Sequence, residues 1–284
     1  MVNTVDDTAR AAWDRIASDY DRTNTPTQMW LGSEGLRRLG LRSGMRVLDV
    51  AAGSGALSIP AARLGARVVA TDQSPVMLEL LAARADQEGL TIDTRVMDGH
   101  ALEVSDNSFD VVGSQFGVML FRDMPKGVRE MARVAKPGGS VLLHAYADPH
   151  RIDFLSFLVG AVQSVRPDFQ GPPTDPPPLE FQLADPGRLR SEFAAAGLKD
   201  IRVETIMETT EFGDGNALWD WIVSSNPIVE CVLSPLKLTR DDTDAVKQAL
   251  EKAVRDRAAG SHTAKLTNPI HIGIGKKPLS RAGG

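Results

Sequence analysis

The sequence predicts an α/β protein in which a mostly parallel β-sheet carries helices on both faces. From residue 46 to residue 146, short apolar runs typical of buried strands alternate with amphipathic segments typical of helices. Strands are predicted at 46–51, 67–71, 92–97, 109–115 and 139–146, with helices near 56–64, 75–87 and 125–136. Right-handed crossovers bring the carboxyl ends of such strands to one edge of the sheet, which is where ligands bind.

The first predicted strand ends in a glycine turn. An apolar run from 47 to 52, interrupted by Asp49, is followed by Gly53 and Gly55 and then by an alanine-rich helix. Glycine permits the sharp backbone turn that this connection needs. The second strand ends at Asp72, at the spacing of roughly 20 residues where βαβ nucleotide sites place a carboxylate for ribose hydroxyls. The pattern therefore predicts a nucleoside site at these two strand ends.

Five sequence motifs occur in order along this region, at 47–55, 70–77, 96–99, 109–112 and 134–140. Through them the chain resembles the class I S-adenosylmethionine-dependent methyltransferases, especially the small-molecule branch that includes the ubiquinone and menaquinone biosynthesis methyltransferases. The resemblance covers residues 8–148 well and the rest loosely. Two departures are Asp49, where the family often has Glu, and Ala51, where it often has glycine.

This resemblance implies a Rossmann-like, doubly wound, mostly parallel seven-stranded sheet with an antiparallel last strand and helical lid insertions. It also implies S-adenosyl-L-methionine as cofactor and a small-molecule methyl acceptor. Asp72 is expected to bind the ribose, Asp98 the adenine amino group, and Tyr20 the methionine carboxylate. Any side chain at Gly55 is expected to project into the nucleoside. The predicted cofactor residues are Tyr20, Asp49, Ala51, Gly53, Gly55, Asp72, Gln73, Met77, Asp98, Gly99, His100 and Gln115.

Methyl transfer is an in-line displacement, so the protein mainly has to position the reactants. A phenol or carbon acid as acceptor requires a base, whereas an unprotonated amine does not. The available candidates are His144, Tyr146 and His271, each of which is also explained by a structural role. The five histidines are scattered, so no metal site is predicted. Whether oxygen, nitrogen or carbon accepts the methyl group stays open.

Four regions are predicted along the chain. Residues 1–45 form an N-terminal helical cap, 46–148 the cofactor-binding core, 149–185 a lid or linker, and 186–284 the completion of the sheet with a helical insert at about 214–259. Apolar residues of the lid and insert suggest a hydrophobic, aromatic or polycyclic acceptor, although core packing explains them equally well. They are Phe154, Phe157, Leu158, Trp219 and Trp221.

Composition excludes several function classes. The formal charge of −5 argues against a grip on nucleic acid, which needs clustered Lys and Arg. Cys231 is the only cysteine, which suits a reducing compartment. No apolar stretch reaches the roughly 18 residues of a membrane span, and the start of the sequence lacks a secretory pattern, so we expect a cytoplasmic protein without a membrane span. A homodimer is possible, and the sequence does not decide the oligomeric state.

Two other functions stay open on the same residues. A protein with the methyltransferase fold could bind the cofactor only as a scaffold or sensor, without turnover. A nicotinamide dehydrogenase also uses a glycine turn and a ribose carboxylate, but it normally has a third glycine where Ser58 stands. Residues 114–117 lack the Pro-Pro motif of amino-methylating DNA enzymes.

Overall fold

The structure, a computed structural model, describes residues 4–173, 175–225, 229 and 233–279. Pro227 and Cys231 lie outside the described residues. The helices are α1 (Thr4–Thr23), α2 (Thr25–Leu39), α3 (Ser58–Arg63), α4 (Pro75–Gln87), α5 (Met124–Val134), α6 (Asp153–Val165), α7 (Pro186–Ala195), α8 (Gly215–Ser225) and α9 (Arg240–Ala258). The strands are β1 (Arg46–Val50), β2 (Arg67–Asp72), β3 (Ile92–Val96), β4 (Phe109–Gln115), β5 (Ala135–Tyr146), β6 (Lys199–Phe212) and β7 (Ala264–Lys276).

The seven strands form one sheet in the order β3-β2-β1-β4-β5-β7-β6. Strands β1 to β5 pair in parallel, and β7 runs antiparallel to both β5 and β6. The strand order reverses between β1 and β4, which is the switch point where open α/β sheets bind ligands. The predicted doubly wound, mostly parallel sheet with an antiparallel last strand is confirmed.

Among the predicted strands, the largest boundary difference is in β5. Strand β5 begins at Ala135 rather than at residue 139, and α5 ends at Val134. The β4–β5 register shifts between Phe109 and Val111, because the Pro-Gly-Gly sequence at 137–139 interrupts regular pairing and Gly138 has φ 79°. Strand β6 runs from Lys199 to Phe212, and β7 supplies pairing partners without interruption from Arg202 to Phe212.

The apolar residues form two main cores. The larger core lies between the central strands and helices on both faces, and includes Leu48, Val112, Leu142 and Phe193. The second core joins α6, α8 and α9 to the ends of β6 and β7. This helical layer stands at the end of the sheet where β1 and β4 terminate in their glycine-containing loops. Within the described chain, no helix is long and apolar enough to cross a membrane.

Replacing Leu250 with Ala should destabilise the helical layer by about 2–5 kcal/mol, since Leu250 is completely buried and its truncation leaves a cavity. The matched control is Gln248→Ala on the exposed side of the same helix, which should change stability by less than about 0.5 kcal/mol. Urea unfolding followed by circular dichroism measures both values. Equal effects of the two substitutions would contradict this account of the second core.

Candidate functional site

A cavity of about 510 Å³ lies at the carboxyl ends of β1, β2, β4 and β5. Ten of the twelve residues predicted to bind the cofactor line it, so the fold brings these distant positions together. They are Tyr20, Ala51, Gly53, Asp72, Gln73, Met77, Asp98, Gly99, His100 and Gln115. The other two, Asp49 and Gly55, are not among its lining residues.

The turn after β1 exposes its backbone to the cavity. Ala51 and Gly53 adopt φ angles of 55° and 54°, and the Ala52 amide donates to the Thr71 carbonyl of β2 at 2.9 Å. A Cβ atom added to Gly53 would contact only the Tyr20 ring, at 3.9 Å. Ala51 therefore bears a backbone conformation that costs less for glycine, which explains the glycine of the resembled family at this position.

Gly55 has a different role from the one expected. Its φ is 102°, and an added Cβ would approach Leu81 at 3.0 Å and Ile59 at 3.1 Å. The expectation that a side chain here would enter the nucleoside site is wrong, because the position faces the packing between α3 and α4. Gly55 is needed for the turn and for close helix packing, and a substitution there would strain both.

Asp72 connects the turns after β1 and β2. One carboxylate oxygen accepts from the Gly53 amide and the other from the Ser74 amide, both at 2.9 Å. Burial raises the pKa of Asp72, and these amide hydrogen bonds oppose the rise. Ser74 then caps α4 by accepting from the Met77 amide at 3.1 Å, and its hydroxyl donates to Asp14 of α1. The carboxylate thus fixes two turns and, through Ser74, two helices.

Asp49 lies beneath the glycine turn rather than in the cavity. It is 1% exposed, and its Oδ2 accepts from the Ser58 hydroxyl at 2.7 Å. Burial raises the pKa of Asp49 to about 7, and the nearby Asp72 adds to this effect. Asp49 therefore holds the first turn of α3, and it does not line the cavity. Ser58 as its partner had no signal in the sequence spacing.

Asp98 and His100 form the more open rim of the cavity. Asp98 Oδ1 accepts from the His100 amide at 2.8 Å and contacts its Nδ1 at 2.7 Å. Burial acts to raise the pKa of Asp98, but these contacts with His100 outweigh it and lower the pKa. The His100 ring packs against Phe121 with centroids 4.4 Å apart. The rim thus offers a charged carboxylate beside an aromatic surface.

A hydrogen-bonded chain crosses the cavity floor from α1 to β5. Tyr20 donates to Gln28 Oε1 at 3.0 Å, and Gln115 donates from Nε2 to the Gln28 carbonyl at 3.0 Å. Gln115 Oε1 faces His144 Nδ1 at 3.0 Å. Burial raises the pKa of Tyr20, with Asp72 and Glu208 adding to the rise, so Tyr20 stays a neutral donor. The N-terminal helices are thereby attached to the strand ends.

The two candidate basic histidines do not reach the cavity. His144 is 2% exposed and lies against Gly35 of α2. Burial, followed by the charge of Arg38, lowers its pKa to about 3, so it stays neutral. His271 contacts Thr205 Oγ1 and the Ala184 carbonyl oxygen, each at 2.9 Å. These placements favour the structural explanation of both histidines over catalysis.

Tyr146 is the one candidate base of the three that lines the cavity. It lies on the same face of β5 as His144, and it stacks on Phe116 with centroids 4.7 Å apart. Burial raises its pKa well above the ordinary value, and Glu208, Tyr20 and Glu180 add to the rise. This direction favours the protonated phenol, which donates a hydrogen bond, over the use of Tyr146 as a base.

The end of the cavity away from Asp98 is apolar and largely aromatic. Its walls include Phe116, Tyr146, Phe154, Leu158, Phe169, Phe181 and Ile222. Of the apolar residues predicted to contact an acceptor, Phe154 and Leu158 line the cavity, whereas Phe157, Trp219 and Trp221 do not. Glu180 also lines this end and is only 4% exposed. A single glutamate after a proline run carries no sequence signal for such a position.

The chain is similar to methyltransferases that use S-adenosylmethionine as cofactor. Residues 48–143 match the family model described as a methyltransferase domain. The fold is similar to the Bacillus subtilis YcgJ protein, with a TM-score of 0.54 and 18% identity over 87% of this chain and 99% of that one. The Haemonchus contortus phosphoethanolamine N-methyltransferase 2 has a similar fold, with a TM-score of 0.54 and 22% identity over 88% of this chain and 52% of that one.

Two groups of sequence relatives each match about half of this chain. An uncharacterized Mycobacterium tuberculosis protein is 41% identical over 134 residues, which cover 47% of this chain and 48% of that protein. A Corynebacterium glutamicum demethylmenaquinone methyltransferase is 37% identical over 142 residues, which cover 48% of this chain and 59% of that protein. The chain thus spans about half the length of the curated relatives it matches. The predicted resemblance to class I methyltransferases is confirmed, and residues 48–143 match a methyltransferase domain.

Replacing Asp49 with Asn should alter the pH dependence of folding. The folded state raises the pKa of Asp49 from 3.8 to about 7, so its stabilising effect is complete below pH 3.8 and is lost as the pH rises through about 7. Relative to Asp49→Asn, the wild type should lose up to about 1.4 kcal/mol of unfolding free energy per pH unit between pH 4 and 7. Urea unfolding across this range measures the difference.

The control for this pH experiment is Asp110→Asn. Burial acts to raise the pKa of Asp110, but hydrogen bonds from Lys136 and the Arg46 amide outweigh it and lower the pKa. Its contribution to stability is therefore present above its unfolded pKa and lost only in acid. The stability difference between wild type and Asp110→Asn should stay flat from about pH 5 to 7. If the stability difference between wild type and Asp49→Asn were also constant over this pH range, the effect of burial on the pKa of Asp49 would be contradicted.

Proposed function

We propose that this protein is a methyltransferase that uses S-adenosylmethionine to methylate a small hydrophobic molecule. The observation that carries the proposal is a single cavity whose one end holds the glycine turn, Asp72 and Asp98, while its other end is aromatic. A nucleoside cofactor and an apolar acceptor are bound side by side in such a space. The acceptor is a ring-bearing compound, which the name of the Corynebacterium relative also supports.

The residues at the polar end fit the cofactor. Asp72 offers a carboxylate to the ribose, and the backbone at Gly53 is open because an added Cβ would meet only the Tyr20 ring. Asp98 and Met77 are suited to the adenine, while Tyr20 and Gln115 lie where the amino-acid part would be held. When bound, S-adenosylmethionine supplies a methyl group that a positively charged sulfur activates for transfer.

The contribution of this chain to the reaction is positioning and exclusion of water. Helices α1 and α2 are attached to the strand ends through Tyr20, Gln28 and Gln115, so they close one side of the cavity. Phe154 and Leu158 of α6 close the other side. Alignment of two reactants in a closed site can supply about 7–11 kcal/mol of the barrier reduction. Tyr146 can donate a hydrogen bond to the acceptor.

Incubation with methyl-labelled S-adenosylmethionine and a panel of phenols, quinols, amines and carboxylates should give a labelled product together with S-adenosylhomocysteine. Mass spectrometry of the product identifies the acceptor atom. Tight binding of S-adenosylhomocysteine by calorimetry without turnover of any panel member or extract would favour the scaffold or sensor alternative. NADH binding in a fluorescence titration, with no binding of S-adenosylhomocysteine, would favour the dehydrogenase.

Asp72→Ala should weaken S-adenosylhomocysteine binding roughly tenfold to hundredfold, as expected for loss of a charge-assisted hydrogen bond. Asp72 also holds two backbone amides, so its variant tests the turn as well as the ribose contact. Asp98→Ala separates the two effects, because its side chain is 58% exposed and its loss should leave folding unchanged while lowering affinity about tenfold.

The matched control for these cofactor variants is Asp93→Ala. Asp93 is exposed on β3 and pairs with Arg95 away from the cavity, so its loss should leave the affinity unchanged. Isothermal calorimetry measures all three variants, and thermal unfolding confirms that each is folded. Wild-type affinity in both Asp72→Ala and Asp98→Ala would show that the cofactor site has been assigned to the wrong residues.

A further inference from the structure

Gln28, a residue that the sequence motifs do not indicate, lines the cavity beside the end of β4. It belongs to α2, is 5% exposed, and is held both at its backbone and at its side chain. Its backbone carbonyl accepts from Gln115 Nε2 at 3.0 Å, and its side-chain Oε1 accepts from the Tyr20 hydroxyl at 3.0 Å. These two contacts fix the direction in which the amide group of Gln28 points.

The direction of each hydrogen bond in this chain follows from its members. A backbone carbonyl only accepts, so Gln115 donates from Nε2, and its Oε1 faces His144 Nδ1 at 3.0 Å. Burial raises the pKa of Tyr20, so its phenol keeps the one proton that it donates to Gln28 Oε1. The Tyr20 hydroxyl therefore has no second proton to donate to a ligand.

The amide nitrogen of Gln28 is the donor that this chain leaves for a ligand. None of the hydrogen bonds among the described residues uses Gln28 Nε2. An amide nitrogen carries two hydrogens and only donates, so it pairs with an acceptor such as a carboxylate and not with an ammonium group. A mostly buried donor without a partner is costly, so a ligand that supplies an acceptor here gains affinity.

The strand order places this donor near the amino-acid part of the proposed cofactor. The carboxylates proposed for the ribose and the adenine, Asp72 and Asp98, lie at the ends of β2 and β3. Gln115 ends β4, on the other side of β1, and the turn at Gly53 lies between the two groups. A nucleoside that lies across β3 and β2 therefore extends its amino-acid part past the turn towards Gln28.

The described part of the cavity wall contains one Lys or Arg, Arg122. Arg122 is exposed and follows Phe121, whose ring packs against His100 at the rim on the Asp98 side. A ligand carboxylate beside Gln28 is therefore held by uncharged donors. Hydrogen bonds in which one partner is charged are stronger than those between neutral groups, so one amide donor has a measurable effect on affinity.

We propose, on the basis of the proposed function, that Gln28 donates from Nε2 to the carboxylate of the methionine part of S-adenosylmethionine. Tyr20 is then a positioning residue, which orients the amide group of Gln28 and does not contact the carboxylate itself. Gln115 positions Gln28 in the same way through its backbone carbonyl. This assignment transfers to Gln28 the role that the family resemblance implies for Tyr20.

The test compares S-adenosylmethionine with decarboxylated S-adenosylmethionine, which lacks only this carboxylate. Calorimetry without a methyl acceptor measures binding in the absence of turnover. The wild type should bind S-adenosylmethionine at least about tenfold more tightly than the decarboxylated form. Gln28→Glu keeps an oxygen for Tyr20 but brings two carboxylates together, so it should reverse this preference. Gln28→Met removes the donor without adding a charge and should remove most of the preference, even if Gln28→Glu fails to fold.

Two further variants separate ligand binding from structural effects. Gln248→Glu makes the same change of charge at an exposed position of α9 and should leave both affinities unchanged. Tyr20→Phe leaves the Gln28 donor in place, so it should lose less of the preference than Gln28→Met does. An equal or larger loss in folded Tyr20→Phe would place the carboxylate on Tyr20 and overturn the assignment.

The remaining outcomes distinguish this inference from the proposed function. If the wild type binds neither S-adenosylmethionine nor S-adenosylhomocysteine, the proposed function itself is overturned. If the wild type binds S-adenosylmethionine and its decarboxylated form equally well, only the role of Gln28 is overturned. Equal weakening of both ligands in the folded Gln28 variants would show a structural role and would also contradict the contact with the carboxylate.

Discussion

The carboxylate of Asp72 is the interaction on which the rest of the site depends. It binds the amides of Gly53 and Ser74, and so fixes the two turns that follow β1 and β2 relative to each other. Ser74 extends this constraint by capping α4 and contacting Asp14 of α1. A partly buried carboxylate is stable here because backbone donors replace the water it has lost. The cavity floor is therefore fixed by the protein itself, before any ligand binds.

The polar end could be predicted because each of its residues lies at or just after the end of a strand. Asp72 ends β2, Gly53 and Asp98 lie close behind β1 and β3, and parallel strands deliver their carboxyl ends to one edge. The direction in which the Cβ atom of each residue points at that edge could not be predicted in the same way. Gly55 faces Leu81, a residue of α4, so its role follows from packing between helices that the local sequence does not specify.

The aromatic end is assembled from segments that are far apart in the chain, and their spacing carries no common pattern. Helix α6 is apolar on more than one side, so Phe154 faces the cavity while Phe157 lies beneath the Arg257 guanidinium at 5.1 Å. Trp221 packs edge-on against Phe154 and Phe212 in the second core. The sequence predicts that these apolar residues lie inside the protein. Whether each side chain lies in the core or lines the cavity depends on how the helices pack.

The electrostatics of the cavity connect its two ends. Burial and nearby carboxylates raise the pKa of both Tyr20 and Tyr146. Both phenols therefore stay uncharged and act as hydrogen-bond donors. In a poorly solvated space, charge interactions are stronger than in water. The negative charges of the acidic groups therefore favour a positively charged sulfur at the cofactor end of the cavity. Glu208 and Glu180 extend this negative electrostatic potential to the aromatic end.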